Sequence, residues 1–563
     1  MRALGLVLSL SLAISLSSAV AVLAGTADLI IVGGTIYTLD PDSPRVEAVA
    51  VAGQKIVCAG TRGEVERYRG SSTRTLDVTG MTVLPGLVDA HGHLAGLGNS
   101  LALLDLSGTA SSEDVRRLVL ERIAAAKPDE WILGRGWDQN DWEVEEFPSV
   151  GDLEGTDSHP VVLRRVDGHA VWVNKRALEL CGITKGTPDP AGGKIVRDEG
   201  GEPTGILVDN AADLVRAKIP LTSFDERIKR LKRAVAECQR YGLTGVHDAG
   251  VGEKDLEAIR YLDERGELGF RVYVMLDADE PAFAEAQIRR GPVIDGESYI
   301  VVRALKLYAD GALGSRGAAL VEPYSDDPGN KGLLVHTRED LLRWTRLALE
   351  NGFQVCTHAI GDAANHMMLG VYEEALRKTP VADSRLRIEH AQILAPEDIA
   401  RFGRCGVIAA MQPTHATSDM YWAADRVGPE RIKGAYAWRK LIDTDCLIAC
   451  GSDFPVESPD PLAGLYAAVT RRDRKGYPEG GWQPEESMTI EEAIRGFTTN
   501  AAFASFSEHM KGTIQPIMLA DLTVLDRDPF VIPAQELLTT RVMYTVVGGQ
   551  VVYTAHDSAR AEE

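Results

Sequence analysis

The chain has 563 residues, 45% hydrophobic and 25% charged, enough apolar material for a large buried core, which excludes a disordered or fibrous polymer. Its formal charge is -22 with a pI near 5.1, and no dense Lys/Arg cluster interrupts that acidic background, which argues against a nucleic-acid partner. A soluble enzyme with a small-molecule substrate is the expectation that remains.

The first element in chain order is a leader. MRALGLVLSLSLAISLSSAVAVLAG carries one basic residue, then a long uncharged run of Leu, Ala and Ser that ends in small residues around Val22 and Ala24. This pattern predicts a cleaved signal peptide over residues 1–24, hence export to a periplasmic or extracellular space with no stable membrane association afterwards. An uncleaved membrane anchor is the alternative, because the run is long enough to span a bilayer. No Cys follows Ala24, so a lipoprotein is not expected. The cysteines number seven, an odd count with no CxxC pair. Cys446 and Cys450 flank a predicted strand, which sets them roughly 13 Å apart, beyond the roughly 7 Å a disulfide tolerates. Free thiols are expected.

Residues 27–80 and 512–555 read as short alternating strands separated by Gly-Gly, Asp-Pro and Ala-Gly turns, and the two flanks are expected to pair into one small composite β-sandwich. The body between them, 81–511, alternates apolar runs with amphipathic segments. The runs fall at Thr82–Val88, Leu243–His247, Arg271–Leu276, Tyr299–Tyr308, Phe353–Thr357, Leu386–Glu389, Gly406–Met411 and Cys446–Ala449. Segments such as FDERIKRLKRAVAECQRYG, REDLLRWTRLALENG and TIEEAIRGFTTNAA repeat their apolar residues at three and four. Eight such pairs predict an α/β protein of the (β/α)8 TIM-barrel class, although doubly wound sheets share the alternation. About residues 95–240, between the first two strands, exceed any ordinary loop and are expected to be an insertion folded over one face.

In LPGLVDAHGHL, His91 and His93 lie two apart at the end of the first run. On a strand they would leave the sheet on the same side, about 6 to 7 Å apart at Cα, a spacing suited to one metal ion. Barrel enzymes place catalytic groups at the C-terminal ends of strands, and four more donors qualify: Lys306, His358, His390 and Asp453. Each has a plain alternative. A strand-end His can be a loop or core residue, Asp453 can cap a helix, and Lys306 can snorkel out of the barrel or pair with Asp310. Lys306 is the most informative, because an ammonium among Val, Leu and Ala would repel a metal, whereas its carbamate would be an anion able to bridge two.

Together these segments, with THAIGD, IEHAQ, GSDFP and ADLTVLD, resemble the amidohydrolase superfamily of metal-dependent hydrolases. GRGWDQNDW, HPVVLRRVDGHAVWVN, DPAGGKIVRDEGGEPTGIL and KLYADGALGSRGAAL are similar to its amidohydrolase family 3 branch, which contains the N-substituted formamide deformylases. The resemblance covers residues 28 to 553. It implies His91 and His93 as ligands of a buried metal, His358 and His390 as ligands of a more exposed one, carboxylated Lys306 as their bridge, and Asp453 as both ligand and proton carrier. Two divalent ions are implied, zinc by default, although the same donors accept iron, manganese or cobalt. The implied reaction is hydrolysis of a non-peptide C–N bond by metal-activated water. An aminohydrolase acting on a ring C–N bond is the runner-up. A secreted metal-containing binding protein without turnover is a third reading, and a homodimer is an open expectation. Residues proposed for the substrate pocket are Trp137, His169, Asp310 and Arg316, with Asp138 and Arg165 beside them. The two arginines read equally well as structural pairs with neighbouring acids.

Overall fold

The computed structural model describes residues 25–296 and 298–555, so the predicted signal peptide, residues 1–24, lies outside the described residues. Eight parallel strands hydrogen-bond in chain order: β1 (Leu87–Gly92), β2 (Leu243–Val251), β3 (Arg271–Asp277), β4 (Ile300–Tyr308), β5 (Gln354–Ala359), β6 (Arg387–His390), β7 (Ile408–Met411) and β8 (Ile448–Cys450). Every residue of β1, β6, β7 and β8 is buried, as expected of parallel strands covered on both faces.

The ladder is continuous from β1 to β8, and the seam between those two strands is closed by other bonds. The Asp453 amide donates to the His91 carbonyl at 2.7 Å and the His93 amide to the Phe454 carbonyl at 2.9 Å. Asp89 lies between the two strands, accepting from the His91 amide at 3.0 Å, the Ser452 amide at 3.1 Å and the Ser452 hydroxyl at 2.6 Å. Two glycines let the seam close. A Cβ on Gly451 would sit 2.5 Å from the His91 amide nitrogen, and one on Gly92 would sit 2.5 Å from the Phe454 ring.

The helical periodicities hold for Phe224–Arg240, capped by Ser223, and Arg338–Glu350, capped by Thr337. The segment TIEEAIRGFTTNAA is two helices, Ile490–Gly496 and Thr499–Ala504, because Thr498 leaves helical geometry and its hydroxyl donates to the Ile494 carbonyl at 2.7 Å.

Two readings of the sequence differ from the structure. Thr82–Val88 is not one strand. Thr82–Pro85 pairs antiparallel with Leu522–Leu525 in the flanking sheet, and the chain crosses into the barrel at Gly86, where a Cβ would meet the Thr244 side chain at 2.4 Å. Strands of both flanks hydrogen-bond in one eight-stranded sheet in which Ala27–Tyr37 is central. The insertion is shorter than residues 95–240. Leu94, Leu97 and the apolar face of Phe224–Arg240 belong to the main barrel core, whereas the material between builds its own six-stranded sheet, with a helix (Ser112–Ala124) and separate cores on its two faces. All seven cysteines are free. Among the described residues no helix is long and apolar enough to cross a membrane.

Asp89→Ala would strip one acceptor from three donors in a buried seam. We expect a stability loss on the order of 3 kcal/mol, read as a lowered unfolding midpoint, with a smaller loss for Asp89→Asn, which keeps one acceptor oxygen.

Candidate metal centre

The barrel brings five of the six predicted donors into one cluster at the C-terminal ends of its strands, and the sixth, Lys306, lies at its base. The ring centroids of His91 stand 5.4 Å from His93 and 4.9 Å from His390, and His358 stands 4.6 Å from His390. Asp453 Oδ1 lies 3.0 Å from His93 Nε2 and 3.5 Å from His91 Nε2. Lys306 is 1% exposed, with Nζ 3.5 Å from His91 Nε2. His390 and Asp453 both hold positive φ, +73° and +60°, a strained backbone for residues with a Cβ that recurs at functional sites.

Each imidazole has one nitrogen anchored. His91 Nδ1 meets Glu389 Oε2 at 2.5 Å, His93 Nδ1 meets the Ala249 carbonyl at 2.7 Å, and His390 Nδ1 meets Gln412 Oε1 at 2.8 Å. If these nitrogens carry the protons, each Nε2 keeps its lone pair for a cation. His358 is reversed: Nε2 turns toward the Gly311 carbonyl at 3.5 Å, leaving Nδ1 as its donor.

The electrostatics favour neutral rings at His91, His358 and His390 around one anion, with His93 the exception. Burial pushes His91 down to about 4 and His358 to about 3, and drives His390 well below the ordinary imidazole value. Burial also opposes charge on His93, but its bond to Asp453 outweighs this and raises it. Burial alone would raise the Asp453 carboxyl, yet the His93 bond and the facing imidazoles hold it far below the usual carboxylate range. Burial lowers the Lys306 ammonium, favouring the free amine.

Several residues at this site were missed in the sequence. Glu389 is fully buried and takes both Arg387 Nε (2.8 Å) and Nη2 (2.9 Å). Arg387 reaches on to the Ala90 carbonyl at 2.7 Å and to His247 Nδ1 at 2.9 Å. The alternation of Arg387 and Glu389 along one strand was the available signal, since both must face the barrel interior together. His415, on the helix Pro413–Asp419 after β7, was also missed. The donor atoms of His91, His93 and Asp453 lie within 4.8 Å of one another, and so do those of His390, His415 and Asp453. His415 Nε2 is buried and has no hydrogen-bond partner. Imidazole nitrogens, an ionised carboxylate and an unpartnered buried nitrogen make a donor set that fits divalent cations.

The residues predicted for a substrate pocket lie mostly elsewhere. Trp137 is in the insertion's core, packed on Trp142 and Trp172 at 6.1 and 5.9 Å with Nε1 donating to the Leu163 carbonyl, because a bulky indole gains most from full burial. His169 is an exposed partner of Asp209, at 2.8 Å. Arg316 forms a two-pronged pair with Asp326 at 3.1 and 2.9 Å. Arg165 ties down Asp138 at 2.6 Å. Asp310 alone reaches the cluster, 3.6 Å from His358 Nε2. It accepts three backbone amides, from Ala319, Ile360 and Gly361, and burial still pushes it up to about 7.

A model of the amidohydrolase family matches residues 74–553. The chain belongs to the amidohydrolase family. Among its relatives, the Bacillus subtilis protein YtcJ is 36% identical over 530 residues, covering 92% of this chain and 98% of that one. The N-substituted formamide deformylase of Arthrobacter pascens is 29% identical, covering 93% and 98%. The crystal structure of an uncharacterized metal-dependent hydrolase from Pyrococcus horikoshii superposes with a TM-score of 0.74 at 29% identity, covering 90% of this chain and 99% of that one. This amidohydrolase is thus similar along nearly its whole described length to each of these proteins.

Because Glu389 fixes the His91 ring, Glu389→Gln should weaken metal binding about 10- to 100-fold, measured by chelator competition.

Proposed function

We propose that this amidohydrolase cleaves a non-peptide C–N bond of a small amide with water, holding two divalent cations, zinc by default, with carboxylated Lys306 as their bridge. The observation that carries this reading is Lys306 itself, buried beside His91 Nε2 at 3.5 Å in a site whose other donors are imidazoles and a carboxylate. As an ammonium it would oppose any cation there. Burial favours the free amine, which can add carbon dioxide and lose a proton to give an anionic carbamate. The similarity to a protein that is an N-substituted formamide deformylase supports an amide as substrate.

Cations at this site would polarise a carbonyl and acidify water. His91, His93, His358 and His390 would hold them, each ring fixed by its anchored nitrogen. Asp453, ionised and facing the same space, is placed to accept a proton and return it to the departing nitrogen. A ring-directed aminohydrolase would want a free carboxyl shortly after His358. Here Asp362 is engaged by the amides of Val321 and Ala363, both at 2.9 Å.

Two substitutions test the reading. The parent should hold about two metals per chain, and Lys306→Ala should lose most of them, with partial rescue by small carboxylates. Full metal content and activity in Lys306→Ala would sink the bridge. Asp453→Asn keeps the size and one oxygen but cannot carry a proton, so kcat on a working amide should fall about 10² to 10⁴-fold while KM changes far less. Lack of turnover by the parent across a panel of amides would favour the binding-protein reading instead.

A further inference from the structure

His415 stands apart from the residues that a strand-end rule can find. β7 ends at Met411, Gln412 follows, and the helix Pro413–Asp419 then begins with Pro413 in its first turn. The Gln412 side chain accepts from His390 Nδ1 at 2.8 Å, and the Gln412 carbonyl accepts the His415 amide at 3.2 Å. This short segment therefore fixes the His390 ring and, one turn later, sets a second imidazole beside it. The two rings lie 6.1 Å apart with planes only 13° from parallel. His415 Nε2 is buried with no hydrogen-bond partner, a costly state for a ring nitrogen. Its facing acceptor, Asp453 Oδ2, is 3.8 Å away, too far for a hydrogen bond. A cation about 2.0 to 2.2 Å from each atom would span such a gap.

We propose that His415 is a ligand of the second, more exposed cation, sharing it with His390 beside the Oδ2 oxygen of Asp453. This goes beyond the four-histidine set and rests on the two-cation reading above. It accounts for the orphaned nitrogen, and it gives Asp453 two faces: Oδ1 toward His91 and His93, and Oδ2 toward His415. Since His358 lies at ring distance 4.6 Å from His390, the second cation would have three imidazoles around it.

The test is metal binding by the full-length protein, with no assay of turnover needed. Apo-protein is titrated with cobalt, whose visible absorption reports its ligands, against a competing chelator. In the parent, two cobalt ions should bind. In His415→Ala one site should keep its parental affinity, which also shows that the barrel has folded, while the other weakens at least tenfold and its absorption changes. Millimolar imidazole should restore part of that second site by entering the space vacated, and His415→Asn should lose it without creating a cavity. If His415→Ala binds two cobalt ions with parental affinities and spectrum, the assignment is overturned and the two-cation reading stands. If the parent itself binds one ion or none, the two-cation reading falls and the assignment falls with it.

Discussion

Arg387 and Glu389 are both completely buried inside the barrel, and the centre depends on their pairing. Removing either charge from water costs several kcal/mol, and that cost is offset only when the geometry is close and the remaining hydrogen-bonding capacity is used. Both conditions are met. The fork of Arg387 closes on the carboxylate, and its remaining donors reach the Ala90 carbonyl and His247. Although burial opposes ionisation, the guanidinium, together with the His91 bond, holds Glu389 down at about 2. An anion made permanent in this way can hold the Nδ1 proton of His91 and so keep Nε2 turned toward Asp453 and Lys306. The pair sits on β6 and the ring it orients sits on β1, so the bond also crosses the barrel interior.

The remaining geometry follows from parallel strands whose ends converge on a single mouth. Four strands deliver the imidazoles and Lys306, and the turn after β8 delivers Asp453 through a left-handed residue stitched back to β1. Where a side chain would block this approach, at Gly92 and Gly451, there is none. The insertion contributes little to the cluster itself. Its tryptophans make its own core, and Arg165 pairs with Asp138.

Much of this was legible in the sequence. A period-two pair such as His91 and His93, or a lone lysine in an apolar strand, conflicts with its surroundings strongly enough to be noticed. The barrel alternation was legible because each strand and helix announces itself locally. The residues that were missed are those whose meaning depends on a distant partner: Glu389 makes sense only beside His91, and His415 only beside His390 and Asp453. Trp137 shows the opposite error. A large aromatic in a motif-rich segment was read as pocket lining, when three neighbouring tryptophans are the signature of a small core that needs bulk. The strand boundary at Gly86 was invisible for a related reason, since Thr82–Pro85 and β1 are equally apolar and only their partners differ.

The flanking sheet carries a consequence for how the molecule comes into being. Leu522–Leu525 zips onto Thr82–Pro85, and the Thr523 hydroxyl accepts the Leu87 amide from a position 436 residues away along the chain. No part of the polypeptide made before that point can complete this sheet, so the opening strands leave the ribosome with apolar faces and unmet backbone groups and must wait through nearly the whole of synthesis. At about 5 to 20 residues per second that wait lasts roughly 20 to 90 seconds, long enough for exposed strand edges to find wrong partners. A chain built this way closes late, with the strands of residues 522–554 fastening those of residues 27–85.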